Sequence, residues 1–196
     1  MDEDLVAQAK AALADGDSER ARGLVDQAYA AHPDDGTAKE LYTLLHLARA
    51  IRMSAAAREA RRQSIVDRGI RYDQEFADTP GVARAFDDAS AAIDEVIAVD
   101  GRNEKGLIMK AALLFRRDRA EGRDASLAIL RQVAEANPEN RQVLSAIRKV
   151  ERPCPRCSDS GFCARCRGRG SRRVLGFETK CETCHGQGIC LFCGIV

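Results

Sequence analysis

The residues best suited to chemistry in this chain are its eight cysteines, all between positions 154 and 193. They form four Cys-x-x-Cys pairs: Cys154 with Cys157, Cys163 with Cys166, Cys181 with Cys184, and Cys190 with Cys193. The gaps read 2-5-2-14-2-5-2, a palindrome. Each pair offers two thiolates from one tight turn, and zinc takes four ligands tetrahedrally. Four pairs therefore suit two closed zinc sites of four thiolates each. A chain that turns back within the 14-residue centre brings the second pair to the third and the first to the fourth. Pairing neighbours through the five-residue loops satisfies the spacing as well.

Other chemistries fit less well. Cys181-x-x-Cys184-His185 matches a c-type haem attachment site, but that use needs export and leaves six paired cysteines idle. Ferredoxin-type clusters want closer serial spacing. A thioredoxin-like pair wants a βαβ context that this sequence lacks, so thiol–disulfide exchange is a distant third option. His185 is expected beside the metal without touching it, because cysteines fill both tetrahedra. There is no phosphate-binding GxxxxGK[ST], no GxSxG and no metal site with an open position. A non-enzymatic protein is expected.

CARCRGRG (163–170) and CETCHGQG (181–188) both match CxxCxGxG. This resembles the cysteine-rich zinc domain of DnaJ-type co-chaperones. The resemblance covers about 43 residues, with CPRCSDSG (154–161) carrying Asp159 at the first glycine position and CLFCGIV keeping only Gly194. It implies a V-shaped hairpin domain with nested pairing: one zinc on Cys154, Cys157, Cys190 and Cys193, the other on Cys163, Cys166, Cys181 and Cys184. It also implies contact with unfolded polypeptide or a chaperone. Few apolar residues lie in this segment, so metal must supply much of its folding, on the order of 10 kcal/mol per site.

Arg165, Arg167, Arg169, Arg172 and Arg173 crowd the same segment. They can form a phosphate-binding strip for RNA or DNA. They can also merely balance eight thiolates and two Zn²⁺, the reading favoured here, since only Phe177 stands nearby for base stacking.

The elements before residue 151 must position this segment, and they read as helices. Apolar residues recur at helical spacing: Leu5, Val6, Ala9 and Leu13; Leu41, Leu44, Leu45 and Ala48; Leu107, Ile108, Ala111 and Leu114. Thr37-x-x-Glu40 reads as a capping box, Thr79-Pro80 as a helix start, and Asn137-Pro138 as the opening of the last helix. No strand is expected in this half.

Three stretches align on Pro33, Gly101 and Pro138. Small residues coincide twelve positions earlier (Ala21, Ala89, Ser126), aliphatics eight earlier (Val25, Ile93, Leu130) and Ala28, Val96 and Val133 five earlier. This resembles the second helix of a tetratricopeptide repeat. Pro33 to Gly101 is 68 residues, two periods of 34, with a degenerate middle in which Pro80 interrupts and the Arg-rich segment 52–71 is weakly amphipathic. An ordinary antiparallel bundle is the alternative. His32-Pro33-Asp34 is the J-domain signature, yet the basic helix that should precede it is missing: residues 18–31 hold only Arg20 and Arg22. The repeat turn explains Pro33 instead.

Charge is uneven. The formal net charge is +1, but residues 1–50 carry ten acids and five bases, and residues 151–196 carry eight bases and four acids. The acidic start MDEDLV does not look like a secretory signal, and no apolar run is long enough to span a bilayer. The expectation is a mostly α protein: a tetratricopeptide-like antiparallel helical array over 1–150 and a zinc-stabilised β-hairpin domain over 151–196. It is expected in the cytoplasm, holding two zinc ions and binding polypeptide clients or partner proteins such as a chaperone. Nucleic acid is the alternative partner, and no membrane partner is expected.

Overall fold

The computed structural model describes residues 2–70, 77–118 and 121–192. Among these are seven α-helices: α1 (Asp2–Ala14), α2 (Ser18–Ala31), α3 (Gly36–Asp67), α4 (Pro80–Val99), α5 (Glu104–Arg117), α6 (Gly122–Ala136) and α7 (Arg141–Glu151). Two antiparallel strands follow, β1 (Ser171–Val174) and β2 (Phe177–Lys180). Each helix packs on the next in sequence; five of the six connections are three or four residues long, which forces the chain to reverse, and α3 packs along α4 across a longer one.

One unit recurs three times. Ala21, Val25 and Ala28 on α2, Ala89, Ile93 and Val96 on α4, and Ser126, Leu130 and Val133 on α6 are all at most 2% exposed. The small positions admit the neighbouring helix, and each bulky side chain contributes about 1.5–3 kcal/mol by leaving water. The turns recur too. His32, Asp100 and Asn137 end their helices with φ between −130° and −140°, and each N–H donates to the carbonyl four residues earlier. Three residues on, Asp35, Asn103 and Asn140 N-cap the next helix, and their N–H groups donate back to His32, Asp100 and Asn137. His32-Pro33-Asp34 is thus one of three equivalent turns.

Two expected helix starts move. Asp35, not Thr37, caps α3: its Oδ1 accepts the N–H groups of Thr37 and Ala38 at 2.7 and 3.2 Å. An aspartate two residues earlier satisfies the free amides first. Asn137 closes α6, while Asn140 opens α7 by accepting from Gln142 and Val143. Thr79 caps α4 over Pro80 as the sequence suggests.

The 68 residues between Pro33 and Gly101 are not two equal periods. A single 32-residue helix, α3, fills much of that length and packs along α4. Its second half carries Arg61, only 4% exposed. The Arg61 guanidinium donates to both carboxylate oxygens of Asp78 at 2.8 and 2.5 Å and to the Arg116 carbonyl at 2.7 Å. It also lies 4.1 Å above the Phe86 ring. These contacts let an arginine occupy the core face, which is why this stretch shows little amphipathic pattern in sequence. Nearer the start of α3, buried His46 lies between Asp26 (2.7 Å) and Glu95 (3.4 Å) and stacks on Tyr42.

The length of α3 has a consequence for the cysteine segment. Ile65, near its end, packs with Phe162 and Ile189 from that segment, with Ile70 alongside. A second tie runs from α6: the Arg123 guanidinium donates to the Val150 carbonyl and, at 2.8 Å, to Asp159. Ile65 and Arg123 thus hold the cysteine segment from two different helices.

Candidate metal centre

The structure brings Cys163, Cys166, Cys181 and Cys184 together, with all four sulfur atoms within 4.8 Å of one another. Cys154, Cys157 and Cys190 form a second group by the same measure. Cys193, the expected fourth member, and Gly194 lie outside the described residues. The second pair thus meets the third, and the first meets the fourth pair's Cys190. His185 is exposed and belongs to neither group.

The inner group has near two-fold internal symmetry. The Cys163 N–H donates to the Gly188 carbonyl and the Cys181 N–H to the Gly170 carbonyl, both at 2.8 Å. The amide of Gly170 points at Cys166 Sγ and that of Gly188 at Cys184 Sγ, both at 3.3 Å. Such N–H···S bonds disperse thiolate charge and orient the ligand. Arg167 and His185, the residues after the second cysteine, are both left-handed, with φ of 51° and 50°. Gly168, Gly170, Gly186 and Gly188 are left-handed as well, with φ of 74° to 83°, which is the backbone reason for the spaced glycines. A Cβ on Gly170 would sit 2.3 Å from the Gly186 carbonyl oxygen, and one on Gly188 would sit 2.4 Å from that of Gly168. The two loops approach so closely that only glycine fits.

The outer group follows the pattern with one substitution. The Cys190 N–H donates to the Gly161 carbonyl at 2.8 Å, and Phe162 pairs with Ile189 as an isolated antiparallel bridge. The Cys154 N–H instead donates to the carboxylate Oδ1 of Asp159 at 2.8 Å. Asp159 has φ of 65°, a conformation aspartate tolerates better than most residues. In the sequence Asp159 stands out only as a departure from glycine. Its role depends on Arg123, 36 residues away, which no local pattern reports.

Can these thiols hold an ion? A tetrahedron with metal–sulfur bonds of about 2.3 Å has sulfur–sulfur edges of about 3.8 Å. Cys166 Sγ to Cys184 Sγ is 3.7 Å and Cys154 Sγ to Cys190 Sγ is 3.9 Å. The donor sets therefore fit a tetrahedral ion that accepts thiolate, such as zinc. Among the inner thiols, burial pushes Cys166 up to about 12 and raises Cys163 as well. At Cys181 burial also acts upward, but hydrogen bonds from the Cys184 and Thr183 amides and from the neighbouring thiols outweigh it and bring the thiol down to about 7. Cys181 is then the first of these three to offer a thiolate, and binding at Cys163 and Cys166 must displace protons.

No protein-family model, curated protein or solved structure matches this chain.

Beside the inner group is a cleft of about 540 Å³. Ile189, Leu191 and Phe192 give it an apolar lining, while Arg156 and Arg165 bring charge. The Arg156 guanidinium lies 5.3 Å from the centre of the half-exposed Phe192 ring.

Proposed function

We propose that this chain is a non-enzymatic, zinc-stabilised adaptor of chaperone type that holds polypeptide segments of client or partner proteins. The helical hairpins are taken as a tetratricopeptide-like array and the cysteine module as a DnaJ-type zinc domain with nested sites. Cys163, Cys166, Cys181 and Cys184 hold one zinc; Cys154, Cys157, Cys190 and Cys193 hold the other. A zinc ion surrounded by four cysteines has no position for water or substrate, which supports a structural rather than catalytic metal. The zinc would clamp loops that have almost no core of their own.

The observation that carries this reading is the cleft between apolar Ile189, Leu191 and Phe192 and cationic Arg156 and Arg165. Apolar side chains of an extended segment fit such a lining, and guanidinium groups bind carbonyls and carboxylates along it. Neither contact demands a strict sequence, as a holding function requires. The test is suppression of aggregation of a denatured client by the full, zinc-loaded chain. Leu191→Ser and Phe192→Ser should weaken it several-fold with helical signal unchanged. Full activity in the double variant would sink the reading.

One observation favours a second reading, nucleic-acid binding. Arg165, Arg167, Arg172 and Arg173 are exposed, and among the described residues none of them is in an ion pair. Arginines serving only to balance the metal cores would be expected closer in. Binding of this kind must weaken steeply with salt and lose strength on replacement of Arg172 and Arg173.

A further inference from the structure

The hairpin β1–β2 ends in an unusual turn. Val174 pairs with Phe177, leaving Leu175 and Gly176 as the two turn residues. Both have positive φ, 51° and 88°. Tight turns of this kind favour Asn-Gly, because a bulky residue rarely adopts that backbone. Leu175 adopts it with its side chain 94% exposed. Phe177 is 76% exposed and Val174 46%. Among the described residues, no packing offsets the backbone cost or the exposed apolar surface.

Charge is arranged behind this tip. Arg172, Arg173 and Lys180 are exposed on the same two strands. Between residues 161 and 192 there are six basic and two acidic side chains. One of the acids, Glu178, is occupied by the Ser171 hydroxyl at 2.5 Å and lies opposite Arg173. At about 3.3 Å per strand residue, the basic positions begin roughly 5–10 Å behind Leu175. That matches the depth to which apolar residues of interfacial segments sink below the headgroups.

We propose that this hairpin is a peripheral membrane anchor. Leu175, Val174 and Phe177 enter the acyl boundary of an anionic leaflet, while Arg172, Arg173 and Lys180 meet the lipid phosphates. A nucleic acid gives an aromatic ring a base to stack on, but gives aliphatic Leu175 and Val174 no apolar phase. An anionic bilayer takes the aliphatic tip and the cations at once. The expectation of no membrane partner rests on the lack of a spanning segment. No described helix is long and apolar enough to cross a membrane, and insertion of a hairpin tip needs none. The proposal does not depend on the polypeptide-holding reading.

The test is co-flotation of the full, zinc-loaded chain with vesicles of phosphatidylcholine alone and of phosphatidylcholine with phosphatidylserine. Binding is expected to the anionic vesicles and to fall as salt rises. Arg172→Gln and Arg173→Gln should each lower partitioning about five-fold. The deciding variant is Leu175→Asn, which suits the turn and keeps the fold while removing the anchor; it should lower partitioning at least about ten-fold. Equal affinity for neutral and anionic vesicles, no vesicle binding, or full binding by Leu175→Asn would each overturn the proposal. So would loss of client holding or of single-stranded RNA binding in Leu175→Asn without any vesicle binding, which would make the tip a docking surface for those partners.

Discussion

Arg123 and Asp159 join the helical array to the outer cysteine group through one carboxylate. Asp159 Oδ2 receives the Arg123 guanidinium at 2.8 Å, and its Oδ1 receives the Cys154 amide at 2.8 Å. Both side chains are largely sheltered, at 26% and 13% exposure. Asp159→Ala removes both bonds and leaves an amide beside the ligand without its acceptor. The expected cost is about 1–3 kcal/mol, read as a lower midpoint of thermal unfolding. Metal affinity should fall at the outer group and not at the inner one. Arg123→Ala should reproduce part of the stability loss, and the double variant should lose less than the sum. Strict additivity would show that the two residues act independently.

Gly188→Ala should destroy the inner centre. Its Cβ would meet the Gly168 carbonyl oxygen at 2.4 Å, and its φ of 75° disfavours any other residue. The loops would have to separate, drawing Cys184 out of the tetrad. Metal analysis should then find about one ion per chain instead of two. Retention of both ions in Gly188→Ala would refute the close-approach argument.

Metal affinity should fall on acidification. Cys163 and Cys166 are held protonated, the latter up to about 12, so an ion at the inner group releases at least two protons. Each proton released contributes a factor of ten per pH unit. Affinity should drop at least about 100-fold per unit as pH falls from about 8 to about 6. Chelator competition at several pH values measures the slope. A slope near zero would mean that the inner cysteines are not the ligands.

Metal removal should have a local effect. Chelation should release amide protection throughout 154–192 and in the last turns of α3, where Ile65 packs on Phe162 and Ile189. The pair α1–α2, whose core of Ala9, Ala12, Ala21 and Val25 is closed by Leu45 from the first half of α3, should keep its protection. Far-UV circular dichroism should retain most of its helical signal, and loss of all helix would show that the cysteine segment is not separable from the array.

Arg61→Ala should be among the most destabilising single changes in the helical half. It strips Asp78 of its partner and opens a space over Phe86. Breaking a buried pair from one side costs roughly 3–5 kcal/mol, measurable by denaturant unfolding. Replacing Arg61 and Asp78 together with Met and Leu should recover much of that loss.

Some of these features were legible in the sequence because they are local or periodic. Four Cys-x-x-Cys pairs and two CxxCxGxG motifs carry their meaning in spacing, since a tight turn presents both thiols whatever surrounds it. The buried triplets of α2, α4 and α6 were legible because a buried helix face needs small and bulky residues at fixed spacing. The His32-Pro33-Asp34 turn was legible as one of three equivalent turns for the same reason.

Competing local signals were harder to rank. Thr37-x-x-Glu40 is a sound capping pattern, but Asp35 stands two residues earlier and takes the amides first. The 68-residue interval invited two equal repeats. Tertiary packing used it for one extended helix, because Arg61 finds Asp78, Phe86 and the Arg116 carbonyl and can be buried.

Cysteine clustering and helix stacking follow from local chemistry alone, because ligand type, turn spacing and apolar period act over a few residues. Folding in three dimensions was needed for Asp159 to serve both Cys154 and Arg123, for Ile65 to meet Phe162 and Ile189, and for Leu175 to be left 94% exposed. Each of those outcomes depends on partners distant in the chain, and a polar or apolar side chain takes its energy from the partner it meets and not from its position in the sequence.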